Sequence, residues 1–126
     1  MVAPMYALRG AVPVEADDKE AIEAATERLM RELIARNGLE PADLVSIVLT
    51  STPDLTRGFP AAGARRAGLD EVPMLGATEV GVPGAAERIV RVLVHVDGKA
   101  PPAREHVYLD RASALRPDRA RRGASS

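Results

Sequence analysis

The sequence predicts an α+β domain: a mixed β-sheet covered on one face by one long and one short helix. Strand-length runs rich in Val, Ile, Leu and Ala recur at 5–14, 44–50, 72–80 and 89–96. Between the first two lies a stretch, 17–37, whose apolar residues repeat at helical spacing. At 126 residues the chain suits one core, because two halves would each bury too little to stand alone.

The opening run MYALRGAVPV (5–14) is a strand interrupted by Arg9-Gly10. Asp17 offers a helix N-cap with Glu20 three residues on, as a capping box asks. Ile22, Ala25, Leu29 and Leu33 line one side of that helix, and Glu23, Glu27, Arg31 and Arg36 the other. It runs to about Asn37, with Gly38 where a left-handed cap belongs. Pro41 opens a short turn before 44–50, LVSIVLT, which reads as a buried strand.

Ser51-Thr52-Pro53-Asp54 is turn chemistry. After Phe59-Pro60 the small residues 61–67 form a short helix that Gly68 stops, with Arg65 and Arg66 suited to its C-terminal end. A strand at 72–80 is broken by Gly76, Gly81 to Gly84 turn the chain, and 89–96 alternates strongly enough for a central strand. Short strands are expected at 106–109 and 112–115. The domain spans 1–117, and the tail 118–126 holds too few apolar residues to fold.

With aromatics at 2%, the core is built from Ala, Val, Leu and Ile, and such a core gains from contacts between copies. The sheet face that has no helix of its own is expected to pack against other copies. A net charge of -1 supplies no basic field, so neither nucleic acid nor a membrane is an expected partner. The Arg119, Arg121, Arg122 run is too weak to change that reading. Without cysteine there are no disulfides, thiolate nucleophiles or Cys-held metals, which fits a cytoplasmic protein. Nothing after Met1 resembles a signal peptide, and the longest apolar runs are of strand length. His95 and His106 lack metal-ligand spacing, no glycine-rich phosphate loop follows a strand, and Ser46, Ser51 and Ser113 sit in no nucleophile elbow. No metal and no cofactor are expected; chemistry here would rest on positioning and charge.

Arg91, inside RIVRVLVHV, is the informative anomaly, because a guanidinium among apolar strand residues needs an anion. Alternation places Ile89, Arg91, Leu93 and His95 on one face, and the same argument covers Arg9 in the first strand. Two such arginines suggest an anion site; alternatively, each pairs with a carboxylate such as Glu79 or sits at a strand end in water. Glu79 lies in an apolar strand and must be paired, protonated or functional. Tyr108 offers a hydroxyl at an edge strand or is simply half-buried at the sheet margin. Phe59 can equally be a core anchor, and Arg116-Pro117 a solvated chain end.

Several of these segments, in this order, carry a resemblance. Leu8-Arg9-Gly10-Ala11, Ser51 to Leu55, Phe59-Pro60-Ala61 with Arg65, Val72 to Glu79, Arg88 to Val92, His106 to Leu109 and Ala114 to Pro117 make the chain similar to the bacterial monofunctional chorismate mutases. Those enzymes are trimers forming a pseudo-α/β barrel, distinct from the all-helical mutases. The resemblance implies an isomerase that converts chorismate to prephenate, for Phe and Tyr biosynthesis, by a Claisen rearrangement needing no cofactor, metal or covalent intermediate. It implies Arg9 and Tyr108 on substrate carboxylates, Arg91 against the ether oxygen and a carboxylate, and Glu79 on the ring hydroxyl. Phe59 would wall the pocket with Arg65 at its mouth, both facing the Arg9, Glu79, Arg91 and Tyr108 of a neighbouring subunit. Met74, Leu75 and Gly76 would line it partly through backbone groups, and Leu115 and Arg116 would belong to a mobile C-terminal flap. The chain departs from the family pattern at Ala62, Leu75 and Gly76, where lysine, threonine and cysteine are expected, so one steering cation is lost. A non-catalytic trimer holding a small dicarboxylate is the competing reading, since fold and anion site alone do not specify turnover.

Overall fold

The computed structural model describes residues 3–115. Five strands, β1 (Met5–Pro13), β2 (Leu44–Ser51), β3 (Met74–Thr78), β4 (Ile89–Asp97) and β5 (Val107–Tyr108), form one sheet in the order β3-β2-β4-β1-β5. β4 is central and antiparallel to both β1 and β2, while β3 joins β2 and β5 joins β1 in parallel. Helices α1 (Lys19–Arg36) and α2 (Pro60–Ala64) cover one face, and α2 continues into a wider turn over Arg65–Leu69.

The register explains which face is covered. Leu8 and Val12 pair with Val94 and Val90, and Ile47 and Leu49 with Val94 and Val92, so these residues share a face and pack beneath Ile22, Leu29, Met30 and Leu33 of α1. Gly10 belongs to the same face: a Cβ there would lie 3.0 Å from the Leu29 Cδ1. The interruption at Arg9-Gly10 therefore has a physical reason, one residue letting α1 approach and the other turning a cation to the opposite face.

The helix start differs from expectation. Asp18, not Asp17, is the N-cap, its carboxylate accepting from the Ala21 amide at 2.7 Å. Asp17 instead accepts from the Thr56 amide (2.8 Å), the Thr56 hydroxyl (2.6 Å) and the Arg57 amide (3.1 Å), tying the loop before α2 to the head of α1. The Thr56 hydroxyl bond, opposed by desolvation and helped by the two amides and the Arg57 charge, holds Asp17 below its ordinary pKa of 3.8. A carboxylate so lowered stabilises the fold above 3.8 and stops doing so as pH falls through its native value. The melting-temperature gap between wild type and Asp17→Asn is therefore expected to be open at neutral pH and to close below pH 3.8; a gap unchanged with pH would refute this.

Glu20 is not a capping-box partner either. Arg66 turns from the end of its helix to reach Glu20 (3.1 Å), Glu23 (3.5 Å) and Glu27 (3.0 Å), while Arg31 donates to the Arg66 carbonyl oxygen at 2.9 Å. The network straps α2 to α1. Beneath it Gly63 is buried where a Cβ would lie 2.4 Å from the Glu23 carbonyl oxygen and 2.7 Å from the Thr26 Cβ. Gly38 (φ 60) and Gly68 (φ 88) occupy left-handed positions after α1 and within the Arg65–Leu69 turn.

Gly76 does not break its strand, which runs through it; Val72 is buried in the turn ahead of β3 and Val80 stands in solvent beyond it. In place of a strand at 112–115 there is a 3-10 turn, Asp110–Leu115. Asp110 adopts φ 51, which ends extended structure, and Arg28 grips its carboxylate through two bonds of 2.7 and 3.1 Å. Among the described residues no helix is long and apolar enough to cross a membrane.

Candidate active site

Arg91 lies on β4 opposite Ala11 of β1 and Thr50 of β2, and Leu93 lies opposite Arg9 and Val48, so all six point away from the helices. Tyr108 on β5 pairs with Ala11 and joins that face. The His106 Nδ1 accepts the Arg9 amide at 2.9 Å, continuing the ladder one step before β5 and fixing that short strand against β1. The face is closed at one end, where Ala112 packs on Ala11 and Ile89 beside Ala86 and Tyr108. Next to that plug lies a cleft of about 420 Å³ lined by Arg9, Gly10, Val48, Thr50, Arg91, Val92, Leu93 and Tyr108.

Glu79 stands just past β3. Its amide donates to the Ser51 carbonyl oxygen at 2.9 Å, and its side chain turns back over β2. One carboxylate oxygen accepts from Arg91 and the other from the Thr50 hydroxyl at 2.7 Å. The ion pair considered for Arg91 and Glu79 is thus present, and it is partly open to solvent, at 38% and 20% side-chain exposure. Arg9, by contrast, has no carboxylate partner among the described residues. Two guanidinium groups and one carboxylate leave this end of the sheet with a surplus positive charge, and the tyrosine hydroxyl adds a donor. Such a set holds an anion that carries more than one acceptor.

Of the residues expected at the pocket, Arg9, Arg91 and Tyr108 line this cleft, with Glu79 bonded to Arg91 at its edge. Leu75 pairs with Val48, shares their face and is 67% exposed. Met74 pairs with Ile47 and packs on the core beneath, so only its backbone reaches the open side; Gly76 is exposed, with open space around it apart from the Leu49 carbonyl oxygen. Phe59, at the head of α2, is 77% exposed, and Arg65 is exposed at its end; neither lines the cleft of its own chain. Phe59 is therefore no core anchor. The Leu115 side chain and Arg116 lie outside the described residues. Thr50 and Val48, which the sequence does not single out, complete the lining; alternation along 44–50 places them on the Arg91 side once the register is known. Among the described residues no group of three His, Asp or Glu could hold a metal ion.

The chain is similar to proteins of known family. Residues 5–119 match the family described as chorismate mutase type I. The chain is 44% identical over 113 residues to the chorismate mutase AroH of Thermus thermophilus, covering 88% of this chain and 93% of that one. It is 37% identical over 113 residues to the Bacillus subtilis enzyme of the same name, covering 88% and 89%. A solved chorismate mutase from Clostridium thermocellum superposes with a TM-score of 0.83 at 38% identity, over 87% of this chain and 99% of that one. With the family match running over residues 5–119 and relatives at 44% and 37% identity covering 88% of the chain, this chain belongs to the type I chorismate mutases.

Proposed function

We propose that the open sheet face of this chorismate mutase binds chorismate, a dicarboxylate, and converts it to prephenate by selecting a folded conformer and stabilising the charge that develops as it rearranges. The observation that carries the reading is the cleft itself, where Arg9, with no carboxylate partner among the described residues, a Glu79-held Arg91 and the Tyr108 hydroxyl line or border one space.

The reaction is intramolecular: one C–O bond breaks as one C–C bond forms, no proton is transferred and no nucleophile is required. What it needs is a compact diaxial conformer and relief of the partial negative charge that grows on the ether oxygen. Arg9 and Tyr108 hold the carboxylates and so fix the conformer, an ordering effect able to supply several kcal/mol. Arg91 meets the ether oxygen and a carboxylate, and its donors are preorganised because Glu79 already holds the guanidinium. Glu79 accepts the ring hydroxyl. The mutase domain covers residues 1–117, followed by a short tail.

The assembly is a homotrimer forming a pseudo-α/β barrel, with the open faces turned inward and each site shared by two subunits. Exposed Leu75, Val80 and Phe59 support this, as does a cleft open on the side that Phe59 and Arg65 of a neighbour would close, with Leu115 and Arg116 as flap. Met74, Leu75 and Gly76 contribute at the rim, the first and last through backbone.

Purified protein mixed with chorismate is expected to abolish its diene absorbance, with sedimentation reporting three subunits. Binding without loss of that absorbance would leave a dicarboxylate-binding module and end this reading. Arg9→Ala is expected to raise KM by about ten- to a hundredfold, the worth of a hydrogen-bonded charge on a carboxylate, with a smaller fall in kcat. An unchanged KM would remove Arg9 from the site.

A further inference from the structure

We infer that Thr50 is a positioning residue for the rearrangement, its hydroxyl fixing the Glu79 carboxylate so that this pair of side chains only accepts hydrogen bonds from a ligand. The inference rests on the reading of the cleft as the chorismate site. Three polar side chains stand in a row across three adjacent strands: Glu79 beyond the end of β3, Thr50 on β2 and Arg91 on β4, with Thr50 and Arg91 direct cross-strand partners. A glutamate held by one guanidinium still pivots about its terminal torsion, which has broad wells. The Thr50 bond to the second oxygen, at 2.7 Å, removes that freedom from the neighbouring strand.

The count of donors gives the consequence. A threonine hydroxyl carries one proton, and here it points at Glu79, so only lone pairs of that hydroxyl remain for a ligand. An ionised Glu79 carries no proton either. At these two groups a ligand must donate: a ring hydroxyl does so, whereas a carboxylate or an ether oxygen finds its donor only at the neighbouring Arg91. At Arg9, Arg91 and Tyr108 the polarity is reversed. The cleft therefore has a direction, and a substrate turned end for end is rejected by unpaired acceptors and like charge.

Thr50→Val keeps the branched shape that suits a strand and removes the hydroxyl. Glu79 is then free to swing into two-oxygen pairing with Arg91, drawing the cation away from the ether oxygen, so kcat suffers more than KM. In steady-state assays with chorismate, Thr50→Val is expected to lower kcat about tenfold while KM moves less than about threefold, the scale of one hydrogen bond to a charged group. Thr50→Ser, which restores the donor, is expected within about twofold of wild type, and Thr50→Val added to Glu79→Gln is expected to cost less than about twofold more. Wild-type kcat in Thr50→Val, a serine variant as slow as the valine one, or a double variant slowed by the product of the single effects would overturn the inference. A slow Glu79→Gln beside an unimpaired Thr50→Val overturns it alone. A Glu79→Gln enzyme turning over at the wild-type rate removes the role read for Glu79 and this inference with it.

Discussion

Arg91→Ala is expected to lower kcat by about three orders of magnitude while the fold survives. Two unit charges about 4 Å apart in a medium of effective dielectric near 20 interact by roughly 4 kcal/mol, and each 1.36 kcal/mol is tenfold in rate. The ether oxygen carries only part of a charge, which lowers the electrostatic share. The carboxylate that the same guanidinium holds restores much of it. Truncation also strands Glu79, which keeps its Thr50 bond but loses its cation, at a position only 20% exposed. Its negative charge then faces an anionic substrate. Arg91→Lys retains a charge yet loses the planar fork that serves Glu79 and a ligand together, so it is expected to recover only part of the rate. Single-turnover kinetics with circular dichroism on the same samples checks both; near-wild-type turnover in the alanine variant would refute the assignment.

Gly63→Ala is expected to destabilise the protein, reversing the usual sign of a helix glycine-to-alanine change. In an exposed helix that substitution gains about 1 kcal/mol. Here the added methyl falls 2.4 Å from the Glu23 carbonyl oxygen and 3.1 Å from the Glu27 amide nitrogen, both backbone atoms of the longest helix, and neither can rotate aside. To make room α2 must lift from α1, opening the contact that Arg66 straps from outside and that buried Thr26 faces from within. Overpacking of this kind costs on the order of 3 kcal/mol, a fall in Tm on the order of 10 °C for a domain of this size. Because subunit association shifts apparent stability, melting is compared at one protein concentration. A Tm at or above wild type would show that the helices slide apart freely.

These positions differ in how far the sequence reveals them. β1, β2, β4 and α1 are legible because each is long and periodic, and alternation alone sets Arg91, Leu93 and His95 on one face. Gly38 is legible because a left-handed cap is a local demand. Asp17 and Asp18 are equally good caps by type, and the choice is made by Thr56, whose amide and hydroxyl claim the first of them from 39 residues away. The turn at Asp110–Leu115 likewise follows from Arg28, 82 residues earlier, reaching Asp110. Arg9, Arg91 and Tyr108 are found by residue type and come together through register. The part played by Thr50 depends on a glutamate side chain folding back across a strand, which no pattern of spacing encodes.

The strand order has a consequence for the growing polypeptide. Among the described residues β1 pairs only with β4 and β5, and β2 meets β1 only across β4, so the first strand to be made has no strand partner until residue 89 has emerged. Of the described strand pairs, β2 with β3 is the one closest in sequence, joined through α2. Insertion of β4 is thus the step that joins the two halves of the sheet, a late closure over long loops of the kind that slows folding and leaves apolar edges bare while it is awaited.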